Sequence, residues 1–230
     1  MNMKTTTQKL ALLKKCFILI STFIFHASLC AVAQEQVYDD FEGRKVLSYG
    51  AKNGVIDTVM KNPAPNDVNK SEKCAMYVRN RAQKFDNIKM PLNGIMSDVS
   101  PYATYLGVPP KIKMKVYTTA PVGTLVEILL GDKTKNNTYP GGTNSQFQAH
   151  TTVSGQWEEL EFKFAQIPEG SETSTTGINQ VTLLFNPNSS TSDTYYFDDI
   201  TGPAVTGGQP AVKTPEKPAE KKTVDNKKKK

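Results

Sequence analysis

Two short acidic stretches are the parts of this sequence best equipped for chemistry. One is Tyr38-Asp39-Asp40-Phe41-Glu42-Gly43, and the other is Thr194-Tyr195-Tyr196-Phe197-Asp198-Asp199-Ile200. Both set carboxylates beside rings in runs otherwise suited to a packed strand. A buried carboxylate is costly unless a cation or hydrogen bonds offset its charge. If the first and last strands pair, Asp40 and Glu42 approach Asp198. Three hard oxygen ligands with backbone carbonyls are what calcium takes. The plain alternative places these acids at strand ends in water, each paired with a lysine or arginine.

A third acidic run, Trp157-Glu158-Glu159-Leu160-Glu161-Phe162, raises the paired carboxylates of glycoside hydrolysis. Successive strand residues face opposite sides, so Glu159 and Glu161 share one face and Glu158 takes the other. Leu160, Phe162 and Phe164 alternate with them, which describes an amphipathic strand with a solvated acidic side. The spacing of the jelly-roll glucanases is absent, as are the serine-hydrolase elbow, the P-loop and the dinucleotide fingerprint. Beyond residue 33 the chain keeps one cysteine, Cys74, and one histidine, His150. Internal disulfides and Cys/His zinc sites are thereby excluded, and Cys74 in Cys74-Ala-Met-Tyr-Val reads as a small core residue.

These groups have to be positioned by strands. Short runs with period-two alternation recur at 46–50, 55–60, 74–80, 85–92, 111–119, 124–132, 145–153, 157–164, 180–187 and 194–200. Gly, Pro and Asn clusters punctuate the gaps, and no window holds a helical period. Ile112, Met114 and Val116 mark one face of a strand, while the longer apolar run 124–132 implies burial on both faces. The expected fold is all-β, a two-layer sandwich over residues 34–204.

Both ends differ from that domain. Lys4, Lys9, Lys14 and Lys15, an apolar run from Cys16 to Leu29 and the Ala31-Val32-Ala33 site read as a signal peptide over 1–33. Leu29 before Cys30 does not suit a lipobox. Residues 205–230 hold eight lysines and three acids with no aromatic residue, a composition expected to be disordered. Removing both ends turns the net charge of +6 into −3 for residues 34–204, so no basic stripe points to nucleic acid. A secreted monomer, extracellular, at the cell surface or in a periplasm, without a membrane span after cleavage, is the expectation.

The Asp-Phe-Glu-Gly of residues 40–43, Trp157 to Phe164 and Tyr195-Tyr-Phe-Asp-Asp-Ile-Thr-Gly-Pro203 together resemble carbohydrate-binding modules with the galactose-binding-domain-like β-jelly-roll fold. The resemblance spans residues 37–203 and extends to secreted proteins of Bacteroidetes-type bacteria. It implies a structural calcium between the terminal strands, with Glu42 and Asp198 matching the family's acids and Asp40 added from its position alone. It also implies a polysaccharide or glycan partner, held by rings that stack on sugar faces and by amides that bond hydroxyls. Tyr102, Tyr105, Tyr117 and Tyr139 are the candidate rings, and Arg79, Gln146 and Gln148 the candidate hydrogen-bonding groups. Trp157 is expected in the core. A protein-contact module built on the same sandwich, and a polysaccharide hydrolase or lyase, are the alternatives.

Overall fold

The computed structural model describes residues 35–135 and 138–207. The expected signal peptide and the tail from residue 208 onward lie outside the described residues. Twelve strands follow in chain order: β1 (Glu35–Asp39), β2 (Val55–Lys61), β3 (Lys73–Val78), β4 (Ile88–Pro91), β5 (Ile95–Met96), β6 (Ile112–Thr118), β7 (Leu125–Gly131), β8 (Asn144–His150), β9 (Gln156–Gln166), β10 (Gln180–Phe185), β11 (Thr194–Pro203) and β12 (Val205–Thr206). Among the described residues there is no helix long and apolar enough to cross a membrane.

Every strand pairing is antiparallel. One layer runs β2-β3-β11-β6-β9, with β1 added beside the far end of β11; the other runs β9-β8-β7-β10-β4. Strand β9 belongs to both, its Gln156–Phe162 part pairing with β6 and its Lys163–Gln166 part with β8. The result is a β-sandwich of jelly-roll type. Its core forms where the inward residues of the two layers meet: Met114, Val116, Leu160 and Phe197 from one, Val126, Ile128, Phe147 and Leu183 from the other. Phe185 crosses the interior, stacking on Tyr195 at 4.3 Å between ring centres and lying within 6.1 Å of Tyr77 and 5.8 Å of Phe197.

The adjacent acids of the last strand are explained by a break in its ladder. The pairing of β11 with β6 shifts register between Asp198 and Thr201, and Asp199 adopts φ 46°. Phe197 pairs with Val116 in the core, and Asp198 pairs with Lys115 on the outer side. There Asp198 is fully buried and accepts Asn69 Nδ2–H, while Asp199 forms a 2.6 Å ion pair with Lys115 and Ile200 returns to the core. Strict alternation from Phe197 would turn Ile200 to the outer side, and the extra residue restores it to the core.

Two features depart from the sequence expectation. The run 46–50 is not a strand, because it crosses between layers. Val46 N–H donates to Tyr38 in β1, after which Ser48 and Gly50 N–H donate to Pro91 and Lys89 of β4, and only isolated bridges form there. At the other end, Val205 and Thr206 pair with Met96 and Ile95, which extends the domain past Ala204.

Because Phe185 touches rings from the opposite layer, Phe185→Ala is expected to cost about 3–5 kcal/mol in urea unfolding, the range for an aromatic lost from a packed core. A loss below about 1 kcal/mol would show that the layers do not depend on this ring.

Candidate functional site

Strand β7 serves two environments. Val126, Ile128 and Leu130 point into the core, while Leu125, Glu127, Leu129 and Gly131 face the outer side of the second layer. There the antiparallel register sets side chains in rows across four strands: Lys89, Thr182, Leu129 and Gln146 in one, and Leu184, Glu127 and Gln148 in the next. These rows floor a groove of about 450 Å³. Leu125, Leu129 and Leu184 make it apolar, and an exposed ring stands at each end, Phe85 (61 % exposed) before β4 and Tyr139 (54 % exposed) in the β7–β8 loop.

The floor is also shaped by what is missing from it. A Cβ on Gly131 would meet the Thr143 carbonyl oxygen at 2.7 Å, so bare backbone is required at that point. Thr143 lines the same place, and its buried hydroxyl has no partner among the described residues.

The most organised polar group in the groove is Glu127, 7 % exposed. Its Oε2 accepts the side-chain N–H groups of Gln146 and, at 2.8 Å, of Gln148. The Gln146 carbonyl oxygen in turn accepts Gln166 Nε2–H at 2.8 Å. Three glutamines on two strands therefore fix one carboxylate. Asp132, near the Tyr139 end, is used differently: Asp132 Oδ1 accepts both the N–H and the hydroxyl of Thr134, and Asn179 Nδ2–H as well. The Thr134 hydroxyl, more than any other partner, holds this carboxyl below its ordinary value.

Of the seven expected ligand-binding residues, Tyr139 and Gln146 line the groove and Gln148 supports it through Glu127. The other four lie elsewhere. Tyr102 is a core residue, turned inward by the turn that bonds its N–H to Val99, so its ring cannot serve as a platform. Arg79 is buried, and its guanidinium donates to Ser189, Thr191, Gln83 and Lys84, tying the end of β3 to the loop before β11. Tyr105 is 76 % exposed but packs edge-on against Phe164 outside the groove. Tyr117 lies on the outer side of the first layer, against Tyr196 and Trp157. Trp157 is buried as expected, its indole N–H donating to Asn62 at 2.9 Å.

The acidic run on β9 is a solvated face: Glu161 pairs with Lys111, Glu159 lies 3.8 Å from Lys113, and Glu158 caps Thr152. Cys74 is buried, and burial pushes its thiol up to about 12, which removes it as a nucleophile.

The three carboxylates expected to hold calcium do not form one cluster; among the described residues no group of three acidic, histidine or cysteine side chains gathers as a metal site. Asp40 does not fit the set. Its oxygens accept the N–H groups of Glu42 and Arg44 and the Arg44 guanidinium at 2.9 Å. Glu42 and Asp198 instead reach one segment: Glu42 accepts the N–H groups of Glu72 and Lys73, and Asp198 accepts Asn69 Nδ2–H at 2.9 Å. Asp198 has no ion-pair partner among the described residues, and burial raises its carboxyl to about 6.

Glu127 and Phe85 were not expected from sequence. The signal for Glu127 was present, a lone charge inside the apolar run Thr124-Leu-Val-Glu-Ile-Leu-Leu. The pairing with β8, which brings Gln146 and Gln148 beside it, has to be known before such a charge reads as a built site.

No protein-family model matches this chain, and no curated protein matches it. Among solved structures, it is similar to the family 11 carbohydrate-binding module from Clostridium thermocellum in complex with a β-1,3-1,4-mixed-linked tetrasaccharide. That match has 12 % identity and a TM-score of 0.43, over 74 % of this chain and 96 % of that one. A family 30 carbohydrate-binding module matches with 13 % identity and a TM-score of 0.45, over 73 % and 97 %. An exo-β-agarase matches with 10 % identity and a TM-score of 0.45, over 73 % of this chain and 25 % of the enzyme.

The raised Asp198 carboxyl means that the folded state holds this proton more tightly than the unfolded chain does. In chelator, the associated stability is fully present below about pH 4 and is lost as pH rises through about 6, a change on the order of 3 kcal/mol. Thermal melts across this range should show the decline, and Asp198→Asn should remove about one proton of it; an unchanged slope in the variant would assign the decline to other groups.

Proposed function

We propose that this protein is a secreted, non-catalytic module that holds a polysaccharide or glycan chain in the groove of the second layer, outside the cell or at its surface. The observation that carries the reading is the groove itself: an apolar floor, an exposed ring at each end and fixed polar groups between them. Sugars have apolar C–H faces that stack on rings and hydroxyls that need oriented donors and acceptors. A shallow site of this size favours modest affinity, because a few contacts offset little more than the ordering cost of the chain.

The groove carboxylates support binding without turnover. Glu127 and Asp132 are five residues apart on an extended strand, about 17 Å at about 3.4 Å per step. Glycoside hydrolysis uses acids about 5–9.5 Å apart across one bond. Asp132 is, moreover, already engaged by Thr134 and Asn179.

A structural calcium belongs to the same proposal, with Glu42 and Asp198 as its carboxylates and Asp40 left out. The support is a buried acid without a cationic partner on a segment that Glu42 also grips. Bound calcium would neutralise Asp198 and join the first and last strands. Added calcium should therefore raise the melting temperature of the parent and not that of Asp198→Asn; equal response of the two would remove Asp198 from the site.

Retardation in gels containing laminarin, xylan, pectin or mucin tests the binding reading. Tyr139→Ala and Phe85→Ala should each weaken retardation about 2- to 13-fold, the effect of losing about 0.5–1.5 kcal/mol of ring contact. Tyr105→Ala and Tyr117→Ala should leave it unchanged. The reverse pattern would move the site out of the groove.

A further inference from the structure

The proposed groove contains one charge that the fold has gone to unusual lengths to orient. Glu127 is more than nine-tenths buried, on a strand whose other members are apolar or glycine. It has no lysine or arginine partner among the described residues. Its Oε2 is taken by two amide N–H donors, from Gln146 and Gln148, while Oε1 has no protein partner there. Gln146 is itself held by Gln166, so the amide that grips Glu127 cannot turn without breaking a second bond. Burying a carboxylate against neutral amides alone is costly, and an ionised carboxylate accepts hydrogen bonds without donating any.

We infer that Glu127 sets the ligand class of this site: its free oxygen requires a neutral, hydroxyl-bearing sugar residue above it and rejects a uronate or sulfated one. This rests on the glycan reading of the groove and deepens it. A sugar hydroxyl donates to Oε1 and forms a charge-assisted bond in a poorly hydrated place. A second anion at that point would meet the like charge of Glu127, which has no ion-pair partner among the described residues. Gln146 and Gln148 are positioning residues, acting on the sugar through Glu127. Three lysines also line the groove, Lys89 on β4, two strands away from Glu127, and Lys133 and Lys135 toward the Tyr139 end, where Lys135 is paired with Glu172, so the selection concerns the sugar over Glu127 and not the whole groove.

The test uses Glu127→Gln, which keeps the shape. The new side-chain carbonyl still accepts Gln146 and Gln148, and the amide nitrogen takes the place of Oε1, turning an acceptor into a donor. Binding of laminarin and xylan, as neutral probes, and of polygalacturonate, as the acidic probe, is measured by calorimetry alongside the melting temperature. The parent should prefer a neutral polymer over polygalacturonate by about tenfold or more. Glu127→Gln should lose about tenfold on the neutral polymer and gain on polygalacturonate, with an unchanged melt. Should that variant fail to fold, Gln148→Leu leaves Glu127 and one of its two tethers in place, and a smaller loss on the neutral polymer is expected. A parent that binds no glycan overturns the groove reading altogether. A parent that binds a neutral polymer as well as Glu127→Gln does, or that takes polygalacturonate equally, keeps that reading and overturns the role of Glu127.

Discussion

Everything in the second layer depends on β7 being satisfied on both faces at once. Its even-numbered residues Val126, Ile128 and Leu130 complete the interior, and its odd-numbered residues make the groove floor. Because side chains alternate strictly along a strand, a slip of one residue would put Glu127 in the core and Ile128 in the groove. The register with β8 and β10 on either side forbids that slip. Core packing and the surface that meets a ligand are thus fixed by one ladder.

The first layer solves a different problem, that of closing the chain's ends onto the sheet. Tyr38 on β1 is buried and its hydroxyl donates to the Pro203 carbonyl at 2.8 Å, while Gly202 stays small because a Cβ there would meet that same hydroxyl at 2.6 Å. The bulge at Asp198 and Asp199 lets β11 bend between its neighbours, and the segment around Asn69 to Lys73 ties that bulge to Glu42. The acids at the two ends are parts of one clasp, although only two of the expected three take part.

Most strands were legible because period-two alternation is a direct consequence of burying one face. KIKMKVY shows it plainly, and its residues alternate between buried and half-buried in the structure. The 46–50 run looked the same, but it bonds first to β1 and then beside β4 through isolated bridges, so it does not build a regular strand. The site was less legible for a related reason. Tyr102 and Tyr139 are alike in composition and context, each in a loop rich in Pro, Gly or Thr, yet one is turned into the core and the other stands at the groove. Only long-range register decides which, just as it decides that Gln146 and Gln148 flank Glu127. Arg79 reads as a polar strand residue, and its role as a buried tie appears only once the loop at 189–191 is folded over it.

The pairing of Glu35 with Pro203 has an architectural consequence. The chain comes in on β1 beside the end of β11 and goes on at once through β12, so the two ends of the described domain adjoin. A unit with adjoining ends can be spliced into a loop of another fold, or be opened elsewhere and rejoined there, with little disturbance to either.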